Sequence, residues 1–589
     1  MPERSRCGSP ARLGRWLRPA VLLGVLLLGV ALAGAAVLPG SAPPARAAEP
    51  IRGTGTLRFE AGAEGILTVD GTRRYRDTLE LAAGGGPLIS ELDIEDYVAG
   101  VDEMPSRWPA EALRAQAIAA RTYAWYVART GVYDGFDICA TVACQVYRGV
   151  QVELDEGRPT PWRAAVDDTA GQVLLDEGVP ILARYFSTSG GRTYANEEAF
   201  PSEGPRDYLV SIEDPADAVS PYHRWTASFT RAQFDDVLSR GDTLSAAVPV
   251  AELERLGAVD DPNALIRVTG VDGTSVEVGA RAFADFVSRI APTRFPERFP
   301  QARADGLRPL PSTVPSSRFA PEVGADEVVL HGQGWGHGVG MGQYGARGRA
   351  DAGQDHREIL AAYYAGLTPT TSPELPERLR VGLTTELPVT IAGDVAFTIR
   401  SGEQIVAERA LGSWHLDVDG DGWVLTPPDG LDAPLEPAST VELAALATAE
   451  QVVVETEVAR PVLLYLEVVD AEGEVVTDRL VGAVDPGRHA ASWDLTDDAG
   501  QLVTPGTYQV ALVAEDGNGQ RAGTPVGIEV GTGRSGTAGG PGADGLWDTL
   551  PGPWSQPGLA VVLIVGALGL LLAGIGGLLR ASRAGRRDP

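Results

Sequence analysis

Between residues 51 and about 95, hydrophobic positions alternate with polar ones in short runs broken by glycine, as in Thr56-Leu57-Arg58-Phe59 and Gly65-Ile66-Leu67-Thr68-Val69. A period of two predicts half-buried strands, and Asp70-Gly71 predicts a tight turn after the second run. The pattern then changes. From Ala110 to Arg129 strong helix formers dominate, with Pro109 at the start and Gly131 as the stop, which predicts one long helix. Ala117, Ala120 and Ala124 would let that helix approach a neighbour closely. Residues 151–370 mix strands, short helices and Gly-rich loops, and read as the remainder of one α+β domain spanning 48–373.

Beyond Pro373 β patterning takes over. Residues 376–435 predict a small β domain. A clearer module at 448–532 holds the apolar run 462–469, the turns Asp470-Ala471-Glu472-Gly473 and Asp497-Asp498-Ala499-Gly500, and the segment Pro505-Gly506-Thr507-Tyr508. Short strands at this spacing predict a β-sandwich.

Hydrophobicity also marks the two ends. Five arginines (Arg4, Arg6, Arg12, Arg15, Arg18) precede the apolar run 21–38, and Ala45-Arg46-Ala47 follows. This is the layout of a cleaved secretory signal peptide over 1–47. Residues 558–579 are uncharged, and a bilayer crossing needs about 20 apolar residues. Arg580, Arg583, Arg586 and Arg587 follow, so the tail 580–589 is expected in the cytoplasm and everything before the span outside it. A Gly/Pro-rich linker, 533–557, precedes the span. The fold class expected is multidomain: an α+β core, a small β domain, a β-sandwich, and a single C-terminal transmembrane helix that holds the extracytoplasmic part to the membrane.

Composition narrows the partners. The net charge is -30, and all 49 basic residues are arginine, an acidic balance that argues against nucleic acid. Cys7 falls in the leader, leaving Cys139 and Cys144. Across a loop in an oxidising compartment they predict a small disulfide. The alternative, a zinc site, needs more nitrogen or sulfur ligands nearby, and no His precedes residue 223. Asp417-Val418-Asp419-Gly420-Asp421-Gly422 starts like a calcium loop, but Pro428 stands where the bidentate Glu is required. An acidic β-turn is expected there. No metal and no cofactor are expected.

The residues that could carry chemistry begin at Glu103, where an extended segment meets the helix beside Met104, Pro105 and Trp108. A carboxylate among apolar groups has a raised pKa and suits a general acid. On these residues alone, a solvated or capping Glu is the commoner reading. The long run Glu95-Asp96-Tyr97-Val98-Ala99-Gly100-Val101-Asp102-Glu103-Met104-Pro105, continuing through Trp108-Pro109-Ala110-Glu111-Ala112-Leu113 to Arg121-Thr122-Tyr123-Ala124, resembles the signature of the SpoIID/LytB (stage II sporulation protein D) family. Two further blocks follow in that family's order: Ala183-Arg184-Tyr185-Phe186-Ser187-Thr188-Ser189-Gly190-Gly191, and Gly334-Trp335-Gly336-His337 through Gln343-Tyr344-Gly345-Ala346.

The resemblance implies a lytic transglycosylase acting on peptidoglycan glycan strands, with Glu103 as acid and then base. It would protonate the oxygen between MurNAc and GlcNAc, then help the MurNAc 6-hydroxyl attack its own C1, leaving a 1,6-anhydro end. Arg121 matches a position needed for activity, where it would orient Glu103 or hold a substrate carboxylate. Gln145 and Tyr147 are expected to line the cleft. Tyr185, Ser187, Thr188, Ser189, Gly190 and Gly191 would bind sugar hydroxyls, as would His337, Gln343 and Tyr344. That cleavage would serve cell-wall remodelling or sporulation; the LytB branch implies another role, a non-catalytic wall-binding enhancer of an N-acetylmuramoyl-L-alanine amidase. Residues 470–514 resemble the immunoglobulin-like domain of flagellar hook-capping proteins (FlgD type), which implies a spacer or docking module.

Overall fold

A computed structural model describes residues 49–155, 160–300, 309–435, 438–440 and 451–531. The expected leader at 1–47, the linker 533–557, the apolar run 558–579 and the tail lie outside the described residues. Among the described residues, no helix is long and apolar enough to cross a membrane.

The N-terminal strands form as their alternation requires. β1 (Ile51–Gly53), β2 (Leu57–Val69), β3 (Arg73–Leu81) and β4 (Leu88–Asp93) enter one 11-stranded sheet. Leu57, Phe59, Leu67 and Val69 of β2 are all fully buried on one face. Asp70 and Gly71 both take positive φ, 51° and 68°, the backbone that a two-residue hairpin turn demands.

The far edge of β2 would be left with unpaired amides and carbonyls. Strands Val389–Gly393 and Phe397–Ser401 pair with it, while Arg378–Gly382 pairs with β4. The segment 376–435, expected as a domain of its own, therefore supplies strands to the first sheet. Short-range pattern could show that these are strands but not which edge they cover. The acidic run at 417–422 is a hairpin turn, with Asp419 opposite Gly422.

α1 (Ile94–Ala99) starts where the Asp93 carboxylate accepts the Glu95 N–H at 2.7 Å. α2 (Ala110–Thr130) follows the expected bounds closely and stops at Gly131, whose φ of 59° ends the helix. α2 is buried almost all round, from Ala112 to Val127, so it is the central helix of the core and not a surface one. β5 (Ile138–Cys139) adds a parallel edge to Arg378–Gly382.

The region 48–373 contains two hydrophobic cores, not one. The first holds β2–β4, α1 and α2. The second gathers Trp225, Phe229, Phe234, Phe283 and Phe319 between strands Trp225–Thr230, Phe319–Val323 and Glu327–Gly332 and helices Arg231–Leu238 and Ala280–Arg294. Tyr344 packs against both.

The C-terminal module is a two-sheet β structure with its own core. Val462–Val469 lies between Val475–Val484 and Gly506–Glu515 in one sheet, and Val452–Val458 pairs with Gly487–Trp493 in the other. Trp493 is buried between them with its ring 5.4 Å edge-on from Tyr508.

Candidate functional site

Glu103 ends the short extended segment before α2, and its surroundings follow from two backbone pairings. Asp102 donates its N–H to the Val146 carbonyl, and Arg148 donates to the Gly100 carbonyl, each at 2.8 Å. This narrow ribbon turns the Val146 amide toward the Glu103 side chain, and the N–H donates to Oε1 at 2.8 Å. The Glu103 carbonyl accepts from Gln343 Nε2 at 3.1 Å. Burial pushes the carboxyl above its ordinary value, the Val146 amide opposes that push, and the Asp102 charge adds to it.

Glu103 stands on the wall of a cavity of about 1290 Å³. Two other acids share the wall. Asp102 pairs with Arg148 at 2.8 Å, and Asp351 lies 3.6 Å from Arg347. Among the described residues, Glu103 is the wall acid without a cationic partner. It combines a raised pKa with freedom from an ion pair, which is what a proton donor near neutral pH needs.

Aromatic rings from three separate segments form part of the same wall. Trp108 packs edge-on to Tyr344 at 4.7 Å, Tyr344 to Tyr222 at 6.3 Å, and Tyr222 to Trp335 at 5.3 Å. Elsewhere on the wall, the Arg184 guanidinium lies 3.8 Å from the Phe200 ring centroid and Arg281 lies 5.2 Å from it. Arg184 Nη2 also donates to both carboxylate oxygens of Glu203, at 2.7 Å each.

Of the residues expected at the site, Glu103, Tyr185, Ser187, His337, Gln343 and Tyr344 line the cavity. The register that brings them together depends on Gly340. Its φ is 77°, and a side chain there would strike the Arg184 carbonyl at 2.0 Å. Without one, Met341–Gly342 can pair in parallel with Tyr185–Phe186. His337 donates from Nε2 to the Tyr185 carbonyl at 2.9 Å and accepts the Val339 N–H on Nδ1 at 3.1 Å, which fixes one neutral tautomer. Burial, with Arg184 and Arg281 nearby, pushes its pKa down to about 3, so it orients groups without carrying charge.

The other expected residues stand behind this surface. Arg121 does not reach Glu103 or the cavity. Its fully buried guanidinium forks onto Glu95, with Nε 2.9 Å from Oε1, and donates to the Gln172 carbonyl at 3.0 Å. Position 121 on α2 faces α1 and the helix Pro161–Asp168, whereas the cavity is lined by the segment before α2 and, on α2 itself, by Tyr123. Gln145 is also buried; it accepts from the Tyr97 hydroxyl at 2.7 Å and donates to that of Tyr185 at 2.9 Å. Tyr147 stacks on Tyr97 with 5.1 Å between centroids. Both hold the scaffold under Tyr185.

Thr188 shares a 2.8 Å hydrogen bond with Ser220. Ser189 and Gly190 wrap a buried carboxylate: Asp217 accepts their amides at 2.9 Å each and lies 2.9 Å from His223 Nδ1, while the Gly191 N–H donates to the Ser189 hydroxyl at 3.1 Å. The polar loop is therefore a folded turn that presents Ser187 and keeps its later residues inward. Asp217→Ala leaves two buried amides without an acceptor, and urea denaturation should show a loss of about 3 kcal/mol; an unchanged midpoint would remove Asp217 from this role.

Cys139 and Cys144 are joined, with 5.6 Å between their Cα atoms. Among the described residues, no group of three or more His, Cys, Asp or Glu is placed to hold a metal ion.

Sequence reasoning missed Phe200, Tyr222, Arg281 and Arg347 on the wall. Arg281 left one signal. It sits in the first turn of Ala280–Arg294, where a cation opposes the helix dipole, and such a local conflict marks a functional position.

This chain is similar to known proteins. The Stage II sporulation protein profile matches residues 83–175, which include Glu103 and α2. Stage II sporulation protein D of Bacillus subtilis (strain 168) is 30% identical over 291 residues, covering 47% of this chain and 74% of that protein.

The chain belongs to the stage II sporulation protein D family.

Within the family's neighbourhood, the amidase enhancer of Bacillus subtilis (strain 168) is 30% identical over 296 residues, 46% of this chain and 39% of that protein, so well under half of that relative is matched. An uncharacterized protein of Brachyspira hyodysenteriae is 31% identical over 284 residues, 48% of this chain and 67% of that one. The FlgD Ig-like domain profile matches 438–518, in agreement with the buried Trp493 module. The stage II sporulation protein D resemblance seen in the three motif blocks thus holds for the core, and the FlgD-type resemblance holds for the C-terminal module.

Proposed function

We propose that this member of the stage II sporulation protein D family is a peptidoglycan lytic transglycosylase. It cleaves between MurNAc and GlcNAc and leaves 1,6-anhydroMurNAc ends. The observation that carries the reading is Glu103: a partly buried acid with a raised pKa and no cationic partner, on an aromatic-lined cavity large enough for sugar rings. Apolar sugar faces stack on rings such as Trp108, Tyr344 and Trp335, while Ser187 and Gln343 offer polar atoms to hydroxyls.

Glu103 gives its proton to the glycosidic oxygen as the C1–O bond breaks. The carboxylate left behind takes the proton of the MurNAc 6-hydroxyl as that oxygen bonds to C1. Atoms balance without water, so the single unpaired acid suffices where a hydrolase uses two. The leader at 1–47 and the apolar run 558–579 support an extracytoplasmic, membrane-held enzyme acting on the wall, with the FlgD-type module as spacer.

The test is mass spectrometry of fragments released from peptide-stripped peptidoglycan by the full-length chain. Anhydro ends are expected; intact strands after prolonged incubation would rule the reading out.

The raised pKa also sets a pH dependence. A general acid must be protonated, so cleavage should fall as pH rises through the Glu103 value. Stability follows the same sign. Ionising Glu103 is harder in the folded chain than in the unfolded one, so its contribution is complete below the ordinary value of 4.5 and is lost as pH rises. The melting temperature of Glu103→Gln relative to the wild type should therefore climb between pH 4 and pH 7; a constant difference would show that the carboxyl is not perturbed.

A second reading has its own support, the similarity to a protein named amidase enhancer. Under it the cavity holds wall glycan without cutting, and an N-acetylmuramoyl-L-alanine amidase is the partner.

A further inference from the structure

The wall beside Glu103 is made by a loop tied down at both ends. Cys139 belongs to the large sheet, where Ile138 and Cys139 pair with Val381 and Gly382. Cys144 lies on the cavity wall and is bonded to Cys139. Two residues later, the Val146 N–H meets Glu103. Between the cysteines Ala140 packs against the core, whereas Val142 at the tip is 88% exposed. The loop is held by the cross-link, by the Ala140 N–H donated to the Gly382 carbonyl at 3.1 Å, by the Cys144 N–H donated to the Thr141 carbonyl at 2.8 Å, and by the Tyr133 hydroxyl 3.0 Å from Cys144 Sγ, while Val146 beyond it is also paired with Asp102.

We propose that the Cys139–Cys144 disulfide is a positioning element for Glu103, fixing the Val146 amide against its carboxylate, and that reduction by a dithiol retunes this acid. In that step the Sγ–Sγ bond breaks and each cysteine sulfur gains one electron and one proton. The dithiol loses two of each and becomes a disulfide. Cys144 on the cavity wall gives the reductant its access.

An amide donated to a carboxylate favours the ionised form. It therefore works against the burial that raises Glu103. A loosened loop weakens that opposition, and Glu103 titrates at higher pH. The other groups facing it are Asp102, Tyr97 on α1, Tyr123 on α2 and Tyr185, with Arg184 and His337 on the same wall. Of these, Asp102 pairs with Val146, and Tyr97 and Tyr185 hydrogen-bond Gln145 beside Cys144, so their influence is part of what the titration reads.

The inference rests on the proposed reaction only for its effect on rate, and its primary test needs no substrate. Infrared pH titration of the full chain, taken as wild type minus Glu103→Gln, reads the Glu103 carboxyl before and after dithiothreitol. The same titration of the double variant Cys139→Ser/Cys144→Ser excludes any influence of a new thiolate. The midpoint is expected to rise by about one pH unit in both cases, since a hydrogen bond to a charged group is weakened. The basic limb of the cleavage profile should move with it. An unchanged midpoint in reduced, folded protein overturns the proposal. So does global unfolding on reduction, seen by circular dichroism, because the bond would then support the whole domain. A shifted midpoint in a protein that releases no glycan fragments refutes the transglycosylase reading and leaves the positioning role standing.

Discussion

Replacing Glu103 with Gln slows strand cleavage by about 10²- to 10⁴-fold, the usual contribution of a positioned acid–base group. The substitution isolates the proton. A Gln carbonyl can still accept the Val146 N–H, and the main-chain carbonyl still receives Gln343, so the wall keeps its shape. The readout is the rate at which anhydro ends appear from peptide-stripped strands, set beside thermal unfolding of the same samples. A variant that cuts at the wild-type rate removes Glu103 from the chemistry. A well-folded variant that still binds wall and stimulates an amidase, from a wild type that never cut, would favour the enhancer role.

The largest effect on stability is expected at Arg121. Its guanidinium is fully buried and joined to Glu95, which also accepts the Gly171 N–H at 2.9 Å. Arg121→Met removes one partner and leaves Glu95 unbalanced against α2, and breaking a buried pair in this way costs about 3–5 kcal/mol. The melting temperature should drop on the order of 10 °C. Cleavage per folded molecule, measured well below that temperature, should stay within about threefold of wild type because Arg121 does not touch the cavity. Adding Glu95→Gln should restore part of the lost stability, since the stranded charge is gone. A variant with wild-type stability but no activity would return Arg121 to the catalytic role that the family resemblance implies.

The position of Arg121 separates what is local from what is not. The motif run marks it as a residue that matters and places it on α2, yet whether it points to Glu103 or to Glu95 depends on how α2 is rotated between α1 and the helix Pro161–Asp168. Ser189 and Gly190 are similar. Their residue types read as a sugar-binding loop, and the buried Asp217, 28 and 27 residues away, turns them inward.

By itself, the sequence determined the elements governed by near neighbours. The Asp70-Gly71 hairpin follows from two positive φ angles, α2 from its helix formers and Gly131, and the Cys139–Cys144 bond from a separation of five residues. It also placed Glu103 beside apolar groups, but the burial that raises its pKa came only with the fold. Tertiary structure alone decided that 376–435 supplies strands to the first sheet, because strand pairing across hundreds of residues leaves no periodic trace. It likewise decided that Tyr222 of the second core and Arg281 beside it join Trp108 of the first core and Glu103 beside it around one cavity. Packing of one element against another sets which side chains converge, and no spacing along the chain encodes that convergence.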